Sequence, residues 1–185
     1  MRIIAGTFKS RRLKTLPGAK TRPTSDKLRE TLFNVLGASV AGAVFADCYA
    51  GSGAVGLEAL SRGAEFVYFL ENHRPAVRVI EQNLKSLGIE EGYEVLALDV
   101  SAALRILDQQ GARLDIVFLD PPYKAAEEYA RMLALLGELK LLAPGARVIA
   151  EHHPKQPLAD RYGVLARTRT LRHGDSALSF YKPGG

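Results

Sequence analysis

With 185 residues, of which 47% are hydrophobic and 24% charged, the chain has the composition of one globular domain that can bury a core. Its apolar runs are too short to cross a bilayer, and the stretch that starts at Met1 is charged again within a few residues, so neither a membrane span nor a signal peptide is expected. A single cysteine, Cys48, excludes an internal disulfide, and the four histidines lack metal-ligand spacing, so we expect a cytoplasmic protein without metal.

The net charge of +5 is concentrated at the amino end of the chain. Residues 1–30 hold nine lysines and arginines against two acidic residues, whereas the remaining residues hold 16 basic and 18 acidic ones. A basic arm on a neutral body is typical of a nucleic-acid binder, although a solvated terminus has the same composition. The side chains in this segment that we expect to contact nucleic acid are Arg2, Lys9, Arg11, Arg12, Lys14, Lys20, Arg22 and Thr24.

The first 37 residues predict a short hairpin followed by a helix. Residues 2–16 alternate weakly between apolar and polar, and residues 17–23 are loop-like because they contain two prolines and a glycine. Thr24 or Ser25 should cap a helix whose apolar residues recur at helical spacing, and Gly37 should end it.

From residue 44 onward, short apolar runs alternate with helical segments. Strands are expected over 44–46, 66–70, 95–98, 114–119 and 147–150, with a terminal hairpin formed by 164–170 and 177–181. Helices are expected over 55–62, from an Asn72 cap to Gly88, from a Ser101 cap to residue 109, and over 127–136. This alternation predicts a largely parallel sheet with helices on both faces, which binds ligands beyond the carboxyl ends of its strands.

Four strands in succession end in acidic residues, and a glycine-rich turn follows the first of them. The acidic residues are Asp47, Glu71, Asp99 and Asp120, and the turn at residues 51–56 has the pattern G-x-G-x-x-G. That pattern also occurs in dinucleotide sites, where the helix N-terminus binds an anionic pyrophosphate. Asp47 is an unfavourable neighbour for a pyrophosphate and a favourable one for S-adenosylmethionine, which carries an ammonium and a sulfonium group.

S-adenosylmethionine would then contact residues from several strand ends. Gly51 and Gly53 have no Cβ, so the backbone could approach the methionine moiety closely. Glu71 could hold the two ribose hydroxyls, and Asp99, with Val100 beside it, could accept a hydrogen bond from the adenine amino group.

The fourth strand end carries the tetrad Asp120-Pro121-Pro122-Tyr123. The Asp120 carboxylate and the Pro121 carbonyl could accept hydrogen bonds from the exocyclic amine of a base, and could stabilise the positive charge that develops as the amine attacks a methyl group. The two prolines hold the backbone rigid, and Tyr123 could stack on the base. The tetrad therefore predicts methyl transfer to a base amine, with Asp120 as hydrogen-bond acceptor and not as general base.

Together these residues resemble class I S-adenosylmethionine-dependent methyltransferases with a D-P-P-Y motif, and more closely the RsmD-type family. The resemblance is carried by residues 2–6, 22–34, 47–64 and 120–123, and it covers nearly the whole chain. It implies a Rossmann-like α/β fold with a mostly parallel seven-stranded sheet, in a single domain over 1–185 with 1–37 as an RNA-binding extension. It also implies that Arg22 and Thr24 lie near the mouth of the active site.

The resemblance further implies methylation of the N2 amine of one guanine in 16S rRNA, within a partly assembled small ribosomal subunit. Three alternatives remain open: a methyltransferase for adenine N6 of DNA or for a protein glutamine, a non-catalytic RNA-binding assembly factor, and a nicotinamide dehydrogenase. Short loops disfavour the DNA enzyme, the intact glycine turn disfavours a pure binder, and Asp47 disfavours the dehydrogenase.

Overall fold

The computed structural model of the chain describes residues 1–16, 26–121 and 126–184. Within these residues, eight strands form one sheet: β1 (Val44–Cys48), β2 (Phe66–Leu70), β3 (Tyr93–Leu96), β4 (Leu114–Leu119), β5 (Leu142–His152), β6 (Arg161–Tyr162), β7 (Leu165–His173) and β8 (Ser176–Pro183). The α-helices are α1 (Asp26–Leu36), α2 (Ala54–Ser61), α3 (Arg74–Leu87), α4 (Val100–Gln109) and α5 (Ala126–Glu138), and a 3-10 turn over Gly37–Val40 links α1 to β1.

The strands lie in the order β3-β2-β1-β4-β5-β8-β7-β6. The five strands from β3 to β5 run parallel, whereas β8, β7 and β6 continue the sheet antiparallel. Strand order therefore reverses between β1 and β4, which are neighbours in the sheet. The predicted α/β fold with its C-terminal hairpin is confirmed, except that the sheet has eight strands and not seven, because the two-residue strand β6 is too short to show in the apolar pattern.

Helices cover both faces of the sheet, as expected where the strand order of a parallel sheet reverses. On one face, Phe33, Leu57 and Ile80 of α1, α2 and α3 are buried in one apolar cluster. On the other face, Leu104 of α4 and Leu133 of α5 are buried in a second cluster. Because the crossover that leaves β1 through α2 and the one that leaves β4 through α5 lie on opposite faces, the carboxyl ends of β1 and β4 border an open crevice. No helix in the described ranges is both long enough and apolar enough to span a membrane.

Strand boundaries differ from the prediction mainly where sheet pairing overrides the local pattern. The ends of β2 and β4 are those expected, because both are continuous apolar runs. β3 begins at Tyr93, two residues earlier than expected, because its register pairs Tyr93 with Val67 of β2. β5 is longer than expected in both directions, because it pairs with β4 on one side and β8 on the other.

Two helix caps differ from those predicted from the sequence. The cap of α4 is Asp99 and not Ser101: Asp99 Oδ1 accepts from Ser101 N at 3.0 Å, and an anionic cap complements the helix dipole. The residue before α3 is His73 and not Asn72, and its N–H is fixed by the Glu71 carboxylate at 2.8 Å.

The amino-terminal arm, residues 1–16, is an antiparallel pair too short for two regular strands. One bridge joins Arg2 to Arg12, and Ile3 N donates to Arg11 O at 3.0 Å. The hairpin expected here is therefore present as a tight turn with minimal pairing.

Buried polar contacts fix the arm to α2. The fully buried Glu58 carboxylate accepts from the backbone N–H of Ile4 at 2.8 Å and of Ala5 at 3.0 Å. A Cβ on Gly6 would lie 1.8 Å from the carbonyl oxygen of Ser61, so only glycine permits this close approach. The arm is thus part of the folded domain.

Glu58 also compensates the charge of Arg29 in α1. Both side chains are fully buried, and Arg29 Nε lies 3.6 Å from Glu58 Oε2. Arg62 Nε donates to the other oxygen, Glu58 Oε1, at 2.7 Å. Burial lowers the pKa of Arg29, and the negative charges of Glu58 and Asp26 oppose that shift. One carboxylate therefore joins the arm, α1 and α2.

We expect Glu58→Gln to lower the free energy of unfolding by about 3 kcal/mol, because Arg29 would lose its buried counter-charge. Urea denaturation measures the change. Glu65→Gln is the same chemical change at an exposed side chain, and we expect it to shift stability by less than about 0.5 kcal/mol. Equal effects of the two variants would contradict this role of Glu58.

Candidate active site

Acidic residues meet where the strand order reverses. Asp47 is the fourth residue of β1, and Asp120, which directly follows β4, donates from its N–H to the Cys48 carbonyl at 3.4 Å. Glu71 directly follows β2, the neighbour of β1, and Asp99 lies three residues beyond β3. The four acidic residues therefore lie along one edge of the sheet, as their positions in the sequence predict.

The glycine-rich turn between β1 and α2 depends on its glycines for different reasons. Gly51 and Gly53 have φ values of 57° and 76°, a left-handed conformation that glycine adopts without strain. A Cβ on Gly51 would have only one atom within 4 Å, so the turn is open on that side. A Cβ would lie 3.2 Å from Ile80 if built on Gly53, and 2.3 Å from Phe69 if built on Gly56. These two glycines let the turn pack against α3 and β2.

Asp47 lies beneath this turn. Its side chain is buried, and its Oδ2 accepts a hydrogen bond from Gly56 N, in the first turn of α2, at 2.8 Å. Burial raises the pKa of Asp47 to about 8, the Gly56 hydrogen bond opposes the shift, and the charge of Glu71 adds to it. Asp47 therefore shapes the turn from below, a role that its position in the sequence does not reveal.

Glu71 fixes the open part of the turn. Its Oε2 accepts from Gly51 N and its Oε1 from His73 N, both at 2.8 Å, and 9% of the residue is exposed. Each carboxylate oxygen has about two acceptor sites, so a ligand hydroxyl can share either oxygen with its backbone donor. Glu71 can therefore hold the turn and a ribose at the same time.

Asp99 and Val100 lie side by side but differ in exposure. Val100 is buried, whereas 49% of the Asp99 side chain is exposed. Asp99 Oδ1 accepts from Ser101 N at 3.0 Å and from Ser101 Oγ at 2.6 Å, and these hydrogen bonds lower the pKa of Asp99. The site thus offers an exposed anionic acceptor, which suits the amino group of an adenine, with Val100 buried beside it.

A polar network that the sequence analysis missed connects the turn to α5. The Tyr49 hydroxyl donates to Glu128 Oε1, and Arg131 donates to Glu128 from Nε at 2.9 Å and from Nη2 at 2.8 Å. Arg131 Nη2 also lies 4.0 Å from Asp99 Oδ1. In the sequence, Glu128 and Arg131 have the spacing of an ordinary helix-surface ion pair. The network therefore links the end of β1, the start of α4 and the helix that follows the tetrad.

Asn83 is a second residue that the sequence analysis missed. It is fully buried in α3, and its Oδ1 accepts from Lys14 N at 2.8 Å. Its Nδ2 donates to Lys14 O at 3.1 Å and to Ser52 O at 3.0 Å. The one sequence signal is an amide among the apolar positions of an amphipathic helix. Asn83 joins the arm to the glycine-rich turn.

The other predicted site residues divide into those that the structure describes and those that it does not. Asp120 is half-buried, with Pro121 buried next to it, and the arm residues Arg2, Lys9, Arg11, Arg12 and Lys14 are exposed. Pro122, Tyr123, Lys20, Arg22, Thr24 and the possible cap Ser25 lie outside the described residues. In the part of the chain that is described, no three His, Cys, Asp or Glu side chains form a group that could hold a metal ion.

Comparisons with known proteins agree on one family. The family model described as "Conserved hypothetical protein 95" matches residues 1–182. The Bacillus subtilis protein named "Putative rRNA methyltransferase YlbH" is 36% identical over 185 residues, which cover 100% of both chains. The Haemophilus influenzae protein named "Ribosomal RNA small subunit methyltransferase D" is 36% identical over 160 residues, covering 85% of this chain and 81% of its own length.

A solved structure confirms the predicted methyltransferase fold. The chain described as "Putative methyltransferase yhhF from Escherichia coli" superposes with a TM-score of 0.84 at 33% identity. The match covers 100% of this chain and 98% of that one, so the arm and the C-terminal hairpin belong to the shared fold.

The burial of Asp47 predicts a pH dependence of stability. Because the pKa of Asp47 rises from 3.8 to about 8 on folding, the folded protein retains a proton that the unfolded chain loses between these values. The stabilisation that this retained proton gives the folded state is full below pH 3.8 and is lost as the pH rises towards about 8. Relative to Asp47→Asn, the wild type should lose on the order of 1 kcal/mol of unfolding free energy per pH unit between about pH 5 and pH 8. Urea denaturation at several pH values measures this difference, and a constant difference would contradict it.

Proposed function

This chain belongs to the family described as "Conserved hypothetical protein 95", and we propose that it is an S-adenosylmethionine-dependent methyltransferase that modifies the exocyclic N2 amine of a guanine in 16S rRNA. One observation carries the proposal: Glu71, the open turn at Gly51 and Asp120 lie along a single edge of the parallel sheet. A cofactor site and a base-amine site would therefore be neighbours.

The residues at this edge fit S-adenosylmethionine. Glu71 has acceptor capacity for the ribose hydroxyls, and Gly51 leaves the backbone open to the methionine moiety. Asp99 offers the exposed acceptor that an adenine amino group requires, next to the buried Val100. When bound, the cofactor supplies a methyl group made electrophilic by the adjacent sulfonium.

Asp47 contributes to cofactor binding through the turn. Its hydrogen bond to Gly56 N sets the path of the backbone between β1 and α2. The ammonium and sulfonium groups of the cofactor favour the ionised form of Asp47, whose pKa is otherwise raised by burial. The cationic ligand therefore offsets part of the cost of burying this carboxylate.

Asp120 and Pro121 act on the target amine. The lone pair of an exocyclic amine is delocalised into the ring, so the amine is a weak nucleophile. Hydrogen bonds accepted by the Asp120 carboxylate and the Pro121 carbonyl favour the pyramidal nitrogen and stabilise the charge that forms as it attacks, an effect worth about 3 kcal/mol. As the nitrogen–methyl bond forms the sulfur–methyl bond breaks, and the methylated amine then releases its extra proton to water, so no general base is needed. In this proposal Pro122 would restrict the backbone after Pro121, and Tyr123 would stack on a base that is unpaired or flipped out of its helix.

The RNA substrate is inferred from the charge of the arm and from the relatives. The arm presents its basic side chains to solvent while its backbone is held by Glu58 and Asn83. The Haemophilus influenzae relative is named as a small-subunit rRNA methyltransferase, and it matches 85% of this chain. The arm would bind rRNA within an assembling small subunit, with Arg22 and Thr24 near the mouth of the site.

The product identifies the function. The protein is incubated with methyl-labelled S-adenosylmethionine and, in separate reactions, with naked 16S rRNA, small-subunit particles that lack the modification, DNA, or a glutamine-containing protein substrate. We expect label in rRNA, recovered as N2-methylguanine after nuclease digestion and mass spectrometry. Label recovered in adenine or glutamine would replace the proposed substrate, and the absence of transfer to every substrate would leave an RNA-binding protein without turnover.

Asp120→Ala and Glu71→Ala separate the two halves of the site. Asp120→Ala should lower kcat by at least about 100-fold, because an acceptor for the target amine is lost, while the Kd for S-adenosylhomocysteine stays within about twofold. Glu71→Ala is the matched change at the end of β2, on the other side of β1, and should raise that Kd by about 10-fold or more. Calorimetry gives the Kd and labelled methyl transfer gives kcat. A large loss of cofactor affinity in Asp120→Ala would show that Asp120 belongs to the cofactor site.

A further inference from the structure

We propose that the RNA-binding surface extends from the arm along α3 to the mouth of the crevice, through Arg74, Arg78 and Lys85. These three side chains are named the α3 basic face. The inference rests on the proposed function, which places RNA on the arm, and it assigns a binding role to residues outside the amino-terminal charge cluster. Their partner is the phosphate backbone of RNA.

The arm lies directly on α3. Arg11 Nη2 donates to the Ser86 carbonyl at 2.7 Å, and Lys14 Nζ donates to Gln82 Oε1 at 3.1 Å. The backbone of Lys14 is fixed as well, by both polar atoms of Asn83. Two of the arm cations predicted to contact RNA are therefore held against the second half of α3.

The α3 basic face points to the same side as this contact. At 100° per residue, Arg78 and Lys85 lie within about 60° of Gln82 around the helix, and Arg74 lies within about 80°. All three side chains are exposed, whereas Ile80 on the opposite side of the helix is fully buried. The arm cations and the three basic residues thus lie exposed on the same side of α3.

The basic residues of α3 extend from the arm contact towards the crevice. α3 begins at Arg74, three residues after Glu71, and so starts at the sheet edge that holds the crevice. The distance from Ser86, where the arm is attached, to Arg74 is about 18 Å along the helix axis at 1.5 Å per residue. An RNA strand bound on the arm can therefore follow α3 for several phosphates before its target base reaches Asp120.

The charge of α3 also sets it apart from the other helices. α3 holds three basic residues and one acidic residue, Glu81, and it is the only helix in the described residues with a net positive charge. Glu81 is spaced to pair with Arg78 or Lys85, but exposed pairs of this kind are weak and leave the cations available to phosphate. A positive stripe that leads to a catalytic crevice is the expected footprint of a nucleic-acid backbone.

Salt-dependent RNA binding tests the inference. The affinity of the full chain for a naked 16S rRNA transcript is measured by filter binding over a series of KCl concentrations. The triple variant Arg74→Ala/Arg78→Ala/Lys85→Ala should weaken binding and reduce the slope of log Kobs against log[KCl] by about 2, since each lost phosphate contact removes about 0.7–0.9. The matched control, Arg105→Ala/Arg113→Ala/Lys140→Ala, removes the same charge from exposed residues outside this surface. Its slope should fall by no more than about one-third of the reduction expected for the α3 triple variant.

The outcomes separate the inference from the proposed function. Equal slopes for the two triple variants would overturn the role of α3, because the effect would then depend on net charge alone. A wild type without salt-dependent RNA binding would overturn the proposed RNA substrate together with this inference. Circular dichroism and thermal unfolding of both variants verify that the exposed substitutions leave the fold intact.

Discussion

The Glu71 carboxylate bonds to the backbone N–H groups of Gly51 and His73, and so ties the turn after β1 to the start of α3. Asp47 supports the turn from below, where its carboxylate accepts a hydrogen bond from Gly56 N in α2. Burying a carboxylate is unfavourable, and backbone donors offset part of that cost for both Glu71 and Asp47. The glycine-rich turn therefore has its shape before any ligand binds, and its acidic surroundings favour a cationic ligand. This combination of a preformed turn and negative potential underlies the assignment of the site.

The amino-terminal arm is supported by the same helices that support the turn. Glu58 of α2 holds the arm at Ile4 and Ala5, and Asn83 of α3 binds both Lys14 and Ser52. Because Ser52 lies within the turn, a displacement of the arm at Lys14 must be accommodated by the turn or by Asn83. The arm and the glycine-rich turn are therefore parts of one connected arrangement and not separate modules.

Much of the fold and the outline of the site could be predicted from sequence, because both depend on local patterns. The apolar runs of β2 and β4 fix their ends, and the parallel arrangement then places Glu71 and Asp120 on one edge. The contacts that were missed join residues distant in the chain. Tyr49 and Glu128 are 79 positions apart, and Asn83 and Lys14 are 69 apart, so no local pattern reports that they meet. The burial of Asp47 beneath the turn could not be predicted from the sequence either, because it depends on how α2 packs against the sheet.

The most direct test of the account is a crystal structure of the protein with S-adenosylhomocysteine. The account predicts the ligand over the turn at Gly51, with its ribose hydroxyls on the Glu71 carboxylate, its adenine beside Val100 and its sulfur facing Asp120. A ligand bound elsewhere, or a ribose turned away from Glu71, would contradict the central claim that one edge of this sheet brings a methyl donor and a base amine together.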